Sequence, residues 1–286
     1  MAISKRFSSL ISRTLPDPLH RKVRDIERLI ADRRIQAIPK TAVFDLDDTL
    51  LEGDIGDAVF AQLKRDESRR YLTVQQKPLP LDWREYRNLI ETGKKQEAYL
   101  RVVTCMAGVP LDVLSETTRK ILRSPHRYIE IEGETVPIPR INPTMFGLIQ
   151  LLRKLKYRIM VISASNHFSV RLVAGELLQI PRSQAFGIRP LLKYIKPEPT
   201  QERIAVLTGI LQKPIPWARG KAEVYARHAG QVPPLITGGD SETDIFLLNL
   251  SHPLGLAIWA GKDQNRIKSL QKKLDHPCNL YPLYPE

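Results

Sequence analysis

Two carboxylates two residues apart, Asp45 and Asp47 in Asp45-Leu46-Asp47-Asp48-Thr49-Leu50, follow directly on the apolar run Thr41-Ala42-Val43-Phe44. A carboxylate can attack a phosphate ester and carry the phosphoryl group, provided a second group beside it protonates the leaving alkoxide. Side chains two apart along an extended chain return to the same side. Asp45 is therefore the candidate nucleophile, and Asp47 the candidate general acid and then base. Two acids repel an incoming phosphate, so this chemistry requires a cation. Hard oxygen ligands beside a phosphate select Mg²⁺. The competing reading is an acidic turn that closes a strand, with Asp48 or Thr49 capping a helix.

The elements that would position these acids are short buried strands of the parallel-sheet kind, whose carboxyl ends are where α/β proteins bind ligands. A second such run, Arg158-Ile159-Met160-Val161-Ile162, ends at Ser163. Before it, Asn142 as N-cap and Pro143 at the first helical position open a helix carrying Met145, Leu148, Ile149, Leu152 and Leu155 at helical spacing. Ser163-Ala164-Ser165-Asn166 then reads as a loop whose hydroxyl and N–H groups could hold a phosphate oxygen, or whose serine caps the next helix. A third strand pattern runs through Pro234-Leu235-Ile236-Thr237 into Gly238-Gly239-Asp240-Ser241-Glu242-Thr243-Asp244. Asp240 is placed there as a metal ligand. Asp244, one helical turn on, can hold Lys221 toward a phosphate. Lys221 itself opens a helical segment (Ala222, Tyr225, Ala226, Ala229), and a lone lysine in that setting is ordinarily a solvated face.

The ordered set Asp45-Leu46-Asp47-Asp48-Thr49, Ser163, Lys221 and Gly239-Asp240-Ser241-Glu242-Thr243-Asp244 resembles the haloacid dehalogenase superfamily, in particular its phosphoserine-phosphatase-like branch, over about residues 40–262. The resemblance implies an α/β fold: a doubly wound parallel sheet with a helical cap inserted after the first motif. The expected division is a basic helical N-terminal extension (1–39), a catalytic core (40–53 and 142–286) and a cap (54–141). It implies Asp45 as the phosphorylated nucleophile, Asp47 as acid/base, and Ser163 and Lys221 as phosphate ligands. Mg²⁺ would be held by Asp45, the Asp47 carbonyl and Asp240, with Asp244 in support. In phosphoserine phosphatases a glutamate nine residues after the nucleophile meets the substrate amino group. Here that position is Asp54, which is shorter, so the resemblance does not carry phosphoserine over. Asp54 is retained as a specificity candidate, with a helix N-cap before Ile55 as its other reading. Ala164-Ser165 also stands where that branch has two glycines.

Within the insertion, helices are expected over Asp57 to Lys64, Trp83 to Ile90, Gln96 to Met106 and Leu111 to Leu122, bracketed at the last by Pro110 and Pro125. Arg84, Arg87, Lys94, Lys95 and Arg101 are cations that such a cap could turn toward a substrate. Three prolines between Arg189 and Thr200 (Pro190, Pro197 and Pro199), then Ile204-Ala205-Val206-Leu207-Thr208, fit the β-hairpin that precedes the lysine motif in the family.

At 286 residues, 42% hydrophobic and 26% charged, the chain suits one α/β core plus an insertion. The net charge is +13, and the first 40 residues hold ten basic against four acidic side chains. Ile3, Phe7, Leu10, Ile11 and Leu15 share a helical face; Pro16 and Pro18 are expected to break it, with a second basic helix around Val23 to Ile35. Three readings of this extension compete: packing on the core, a peripheral membrane contact through residues 1–35, or a targeting segment. The two cysteines, Cys105 and Cys278, read as reduced thiols of a cytoplasmic protein, and no apolar run approaches the ~18 residues of a membrane span. The tail Tyr281-Pro282-Leu283-Tyr284-Pro285 reads as an irregular strap or a loose end.

The function expected is Mg²⁺-dependent hydrolysis of a small phosphorylated metabolite. Its alternatives are phosphoryl transfer to another acceptor through the same intermediate, or a non-enzymatic basic module binding nucleic acid or anionic lipid. No nucleic-acid motif accompanies the basicity, so nucleic acid is not the expected partner. Basicity can instead steer an anionic substrate toward an acidic site.

Overall fold

The computed structural model describes residues 15–31, 38–67, 72–196, 202–263 and 265–284. In chain order these form α1 (Asp17–Ala31), β1 (Thr41–Phe44), β2 (Leu51–Glu52), α2 (Ile55–Glu67), α3 (Trp83–Glu91), α4 (Lys95–Cys105), α5 (Leu111–Arg123), β3 (Tyr128–Ile131), β4 (Glu134–Pro137), β5 (Arg140–Ile141) and α6 (Pro143–Lys154). There follow β6 (Arg158–Asn166), α7 (His167–Leu172), β7 (Ala185–Ile195), β8 (Ile204–Gln212), α8 (Arg219–Ala229), β9 (Ile236–Gly239), α9 (Ile245–Leu248), β10 (Leu256–Trp259), α10 (Asn265–Gln271) and β11 (Leu280–Pro282). The main sheet has seven strands in the order β11-β10-β9-β1-β6-β7-β8. β1 pairs in parallel with β6 and β9, and β10 in parallel with β9 and β11, whereas β7 and β8 are antiparallel. The chain is thus an α/β protein with a mostly parallel sheet.

Two compact units divide it: residues 1–52, 141–162 and 218–286 in the first, residues 53–140 and 163–217 in the second. The second unit therefore takes in the β7–β8 hairpin as well as the inserted helices, and β6 runs from one unit into the other.

In the first unit β1 lies at the sheet centre, and all four of its residues are buried. That burial on both faces is why the run Thr41-Ala42-Val43-Phe44 is continuous in apolar character rather than alternating. Asn142 caps α6 as its sequence requires, its side chain accepting from the N–H groups of Thr144 and Met145. Trp259 of β10 packs with Leu248, Ala257, Leu270, Leu274 and Leu280. The C-terminal tail contributes β11, with Ala257, Ile258 and Trp259 opposite Leu280, Tyr281 and Pro282, so it is an edge strand and not an irregular strap. Pro282 is tolerated there because an edge strand leaves one row of N–H groups unused.

α1 differs from expectation at its start. It begins at Asp17 rather than near Val23, with Pro18 in its first turn, where a missing N–H costs nothing. Leu19, Val23, Ile26 and Ile30 are buried at helical spacing, and Lys40 bonds both Glu27 and the Leu155 carbonyl. This part of the extension packs within the first unit. The apolar face from Ile3 to Leu15, and the continuation to Ile35, lie outside the described residues. Among the described residues no helix is long and apolar enough to cross a membrane.

In the second unit the four expected helices form, each within a few residues of its expected ends. The same stretch also holds a β-hairpin, β3–β4, with Ile129 opposite Val136 and Ile131 opposite Glu134. Its turn residues Glu132 and Gly133 both have positive φ (49° and 84°), the two-residue turn whose twist matches antiparallel strands. Phe60, Trp83 and Tyr86 stack at centroid distances of 5.4–6.0 Å in the core of this unit. Three of the five cations considered above are engaged by acids here: Arg84 with Glu132, Arg87 with Glu134, and Arg101 with Glu85. Cys105 is buried, and burial pushes its thiol up to about 12.

Candidate active site

Asp45 stands one residue past β1, where its N–H still donates to the Gly238 carbonyl of β9 at 2.9 Å. Its side chain is 9% exposed. The chain then turns at once: the N–H groups of Leu50 and Leu51 both donate to Leu46 O, and Asp48 takes a positive φ of 52°. Asp47, half-buried, is carried on this turn. Thr49 caps no helix; its hydroxyl donates to Asp240 Oδ1 at 3.2 Å and its carbonyl accepts from Asn142 Nδ2. Thr49 is thus a site residue that the motif contained and the reading of it as a cap missed.

Lys221, in the first turn of α8, is 3% exposed, not the solvated lysine its position on a helix suggests. Its Nζ lies 2.8 Å from Asp45 Oδ1 and 2.5 Å from Asp244 Oδ1. Asp244 is fully buried. Its other oxygen accepts from the N–H groups of Asp240 and Ser241 and from the Ser241 hydroxyl, a capping-box arrangement at a single turn of 3₁₀ helix over Glu242–Asp244. The Ser-x-x-Asp spacing carries that signal in the sequence. Gly239 makes the approach feasible, since a Cβ there would stand 2.4 Å from Asp244 Cβ.

Carboxylate oxygens of Asp45, Asp240 and Asp244 all lie within 4.8 Å of one another. Burial raises the Asp45 carboxyl to about 7; Lys221 opposes the shift and Asp244 adds to it. Asp240 is raised for the same reason, burial first, then the charges of Asp244 and Asp45. For Lys221, burial favours the neutral amine, but Asp244 and Asp45 outweigh it and the ammonium is held above its ordinary range. Fully ionised, three carboxylates against one ammonium would leave an excess of negative charge, which is why Asp45 and Asp240 hold their protons. That excess, with all-oxygen donors, fits a hard divalent cation.

Asp45, Asp47, Lys221, Asp240 and Asp244 all belong to the first unit. Ser163 and Asp54 belong to the second. Ser163 does not open a loop: β6 continues to Asn166, and the fully buried Ser163 Oγ accepts from the Ser165 N–H at 2.9 Å. Asp54 Oδ1 accepts from the Asp57 N–H at 2.9 Å, as a cap of α2 should, and Oδ2 accepts from the Tyr99 hydroxyl at 2.8 Å. The Tyr86 hydroxyl donates to Asp57, and Tyr99 packs on Trp217 at 5.5 Å between ring centroids. Burial, together with Asp54 and Asp57, raises both phenols well above their ordinary value, which keeps them protonated donors. Neither tyrosine contact was legible in the sequence, because nothing in local spacing ties Tyr99 to Asp54 or Tyr86 to Asp57.

The family model for haloacid dehalogenase-like hydrolases matches residues 42–249. This chain belongs to that family. Among solved structures, the hydrolase is similar to a protein of unknown function from Bordetella pertussis Tohama I (TM-score 0.59, 15% identity, covering 87% of this chain and 100% of that one). It is also similar to a HAD family hydrolase from Salmonella enterica serovar Typhi (TM-score 0.51, 16% identity, covering 89% and 75%). A phospho-aspartyl intermediate analogue of phosphoserine phosphatase matches with a TM-score of 0.48 at 18% identity, covering 83% and 92%. At these identities the likeness is one of fold. Comparison with curated proteins gives no match.

Proposed function

We propose that this hydrolase is a Mg²⁺-dependent phosphatase of the phosphoserine-phosphatase-like branch, acting on a small phosphomonoester through a phospho-aspartyl intermediate. The observation that carries the reading is the buried ammonium of Lys221, shared between Asp45 and Asp244 beside Asp240. A structural ion pair needs one acid; two acids on a lysine with a third alongside make a charged centre whose cost is recovered only when it binds something.

Asp45 attacks phosphorus and forms the acyl phosphate, while Asp47 gives its proton to the leaving alkoxide. Asp47 then takes a proton from the water that hydrolyses the acyl phosphate, returning both acids to their starting states. Lys221, held by Asp244, meets negative charge on the transferring oxygens. Ser163 is the second proposed phosphate ligand. Asp45, the Asp47 carbonyl and Asp240 would hold Mg²⁺, which supplies charge neutralisation between the acids and the phosphoryl group. Asp54, with Tyr99, is the proposed reader of the leaving group; its carboxylate suits an amino, hydroxyl or choline-like end.

The test is phosphate release from a broad panel of phosphorylated metabolites, with and without Mg²⁺. Turnover that needs Mg²⁺ and names a best substrate is expected. Turnover unaffected by chelation would overturn the metal assignment. Folded protein with no turnover on any ester would overturn the phosphatase reading.

A further inference from the structure

The helix that Asn142 caps explains only half of its side chain. Asn142 is 2% exposed, and its Oδ1 accepts from the Thr144 and Met145 N–H groups at 3.2 and 3.3 Å. Serine and aspartate serve a helix start about as well. What they lack is an amide NH₂ group, and here both of its hydrogens are used. Nδ2 donates to the Thr49 carbonyl at 3.2 Å and to the Tyr284 hydroxyl at 3.0 Å. The Asn142 backbone N–H donates to the Leu50 carbonyl at 3.0 Å. One residue thus grips two successive carbonyls of the turn that follows Asp45 and Asp47, which capping does not require.

That turn carries the Thr49 hydroxyl, which donates to Asp240 Oδ1 at 3.2 Å. Thr49 is fully buried and β-branched, so its hydroxyl goes where its backbone goes. Within the turn, the N–H groups of Thr49, Leu50 and Leu51 converge on one acceptor, Leu46 O, at 3.4, 2.9 and 2.9 Å. A carbonyl offers two lone pairs, so this internal brace is overshared and the outer one from Asn142 matters. Tyr284 takes the second amide hydrogen, on a tail that the Leu283 N–H fastens to the Trp259 carbonyl at 2.8 Å. Thr49, Asn142, Tyr284 and Asp240 all belong to the first unit. The last three of them also line one cavity of about 260 Å³ there.

We propose that Asn142 is a positioning residue for Asp240, holding the Thr49 hydroxyl where it orients that carboxylate for a divalent cation. The proposal rests on the reading of Asp240 as a Mg²⁺ ligand. Groups that hydrogen-bond a metal-ligating side chain commonly govern affinity by about 10–100-fold. Asn142 acts one residue further out, so its share is smaller. The shared cavity offers a rival route from Asn142 to Asp240, through water, that bypasses Thr49. The two routes differ in whether Asn142 still matters once the Thr49 hydroxyl is gone.

Isothermal titration of the metal-free protein with Mg²⁺ reads this without turnover. Thr49→Val is expected to weaken binding about tenfold, and Asn142→Ser, which keeps a capping oxygen for α6, about fivefold. In the Thr49→Val background Asn142→Ser should cost nothing more, because both changes cut one connection. Asn142→Ser that binds as tightly as wild type, or that costs the same in both backgrounds, overturns the role. Should Asn142→Ser fail to fold, Tyr284→Phe, at a half-buried ring, takes its place. It should weaken binding about twofold in wild type and not at all beside Thr49→Val; no effect in wild type, or an equal effect in both, overturns the role. Mg²⁺ binding that Asp240→Asn leaves unchanged overturns the metal reading and this role with it. Binding that Asp240→Asn abolishes, with additive effects of Thr49 and Asn142, overturns the role alone.

Discussion

Asp45 and Asp244 in the first unit share the ammonium of Lys221, whereas Asp54 and Asp57 in the second accept from the phenols of Tyr99 and Tyr86. Both pairs are held by defined donors, but a cation and a neutral hydroxyl do different things to a carboxylate. The ammonium lets acids stay close in a buried place and leaves the centre charged. A phenol satisfies a lone pair without changing the charge, so it fixes where the carboxylate points. The first arrangement carries the chemistry proposed above; the second is the proposed reader of the leaving group.

Removing the cation should break the first arrangement most severely. Lys221→Met leaves two buried carboxylates uncompensated and should cost about 3–5 kcal/mol in a denaturant titration. It should also lower kcat by about 10³-fold, in the range seen when a charge-stabilising donor is lost. Next in size is the metal. In the metal-free protein Asp45 holds its proton up to about 7, against an ordinary 3.8. The folded state therefore binds more protons than the unfolded chain between those values, and this group lowers stability as pH rises through that window. Mg²⁺ at a hundred times its dissociation constant should add about 2.7 kcal/mol at pH 8. That gain should shrink toward pH 5, where protons compete for Asp45 and Asp240; melting curves at both pH values measure it. Smallest is the phenol: Tyr99→Phe should cost about 1–2 kcal/mol. In kinetics it should move KM more than kcat, while an equal fall in both kcat and kcat/KM would place Tyr99 with the chemistry instead.

The sequence made the first arrangement readable and hid most of the second, for a physical reason. Asp45, Asp47, Asp240 and Asp244 sit at the ends of strands whose burial pattern is local, so the acids and the place they occupy appear together. Lys221 was readable only through its order before Asp240; its 3% exposure depends on how α8 packs. Tyr86 and Tyr99 lie 29 and 45 residues from the acids they meet, and no local period joins them. The β3–β4 hairpin had a signal, Glu132-Gly133 between alternating Ile129, Ile131 and Val136, that the helical reading of the insertion passed over. β11 was obscured by prolines, which mark an irregular strap and an edge strand alike.

Whether Asp45 carries the phosphoryl group, as proposed, is decided by rapid acid quench of the enzyme during turnover of a ³²P-labelled phosphomonoester. Base-labile radioactivity bound to the protein is expected in wild type and none in Asp45→Asn, whose turnover should be lost. Turnover that survives in Asp45→Asn, or label that stays on that variant, would contradict it.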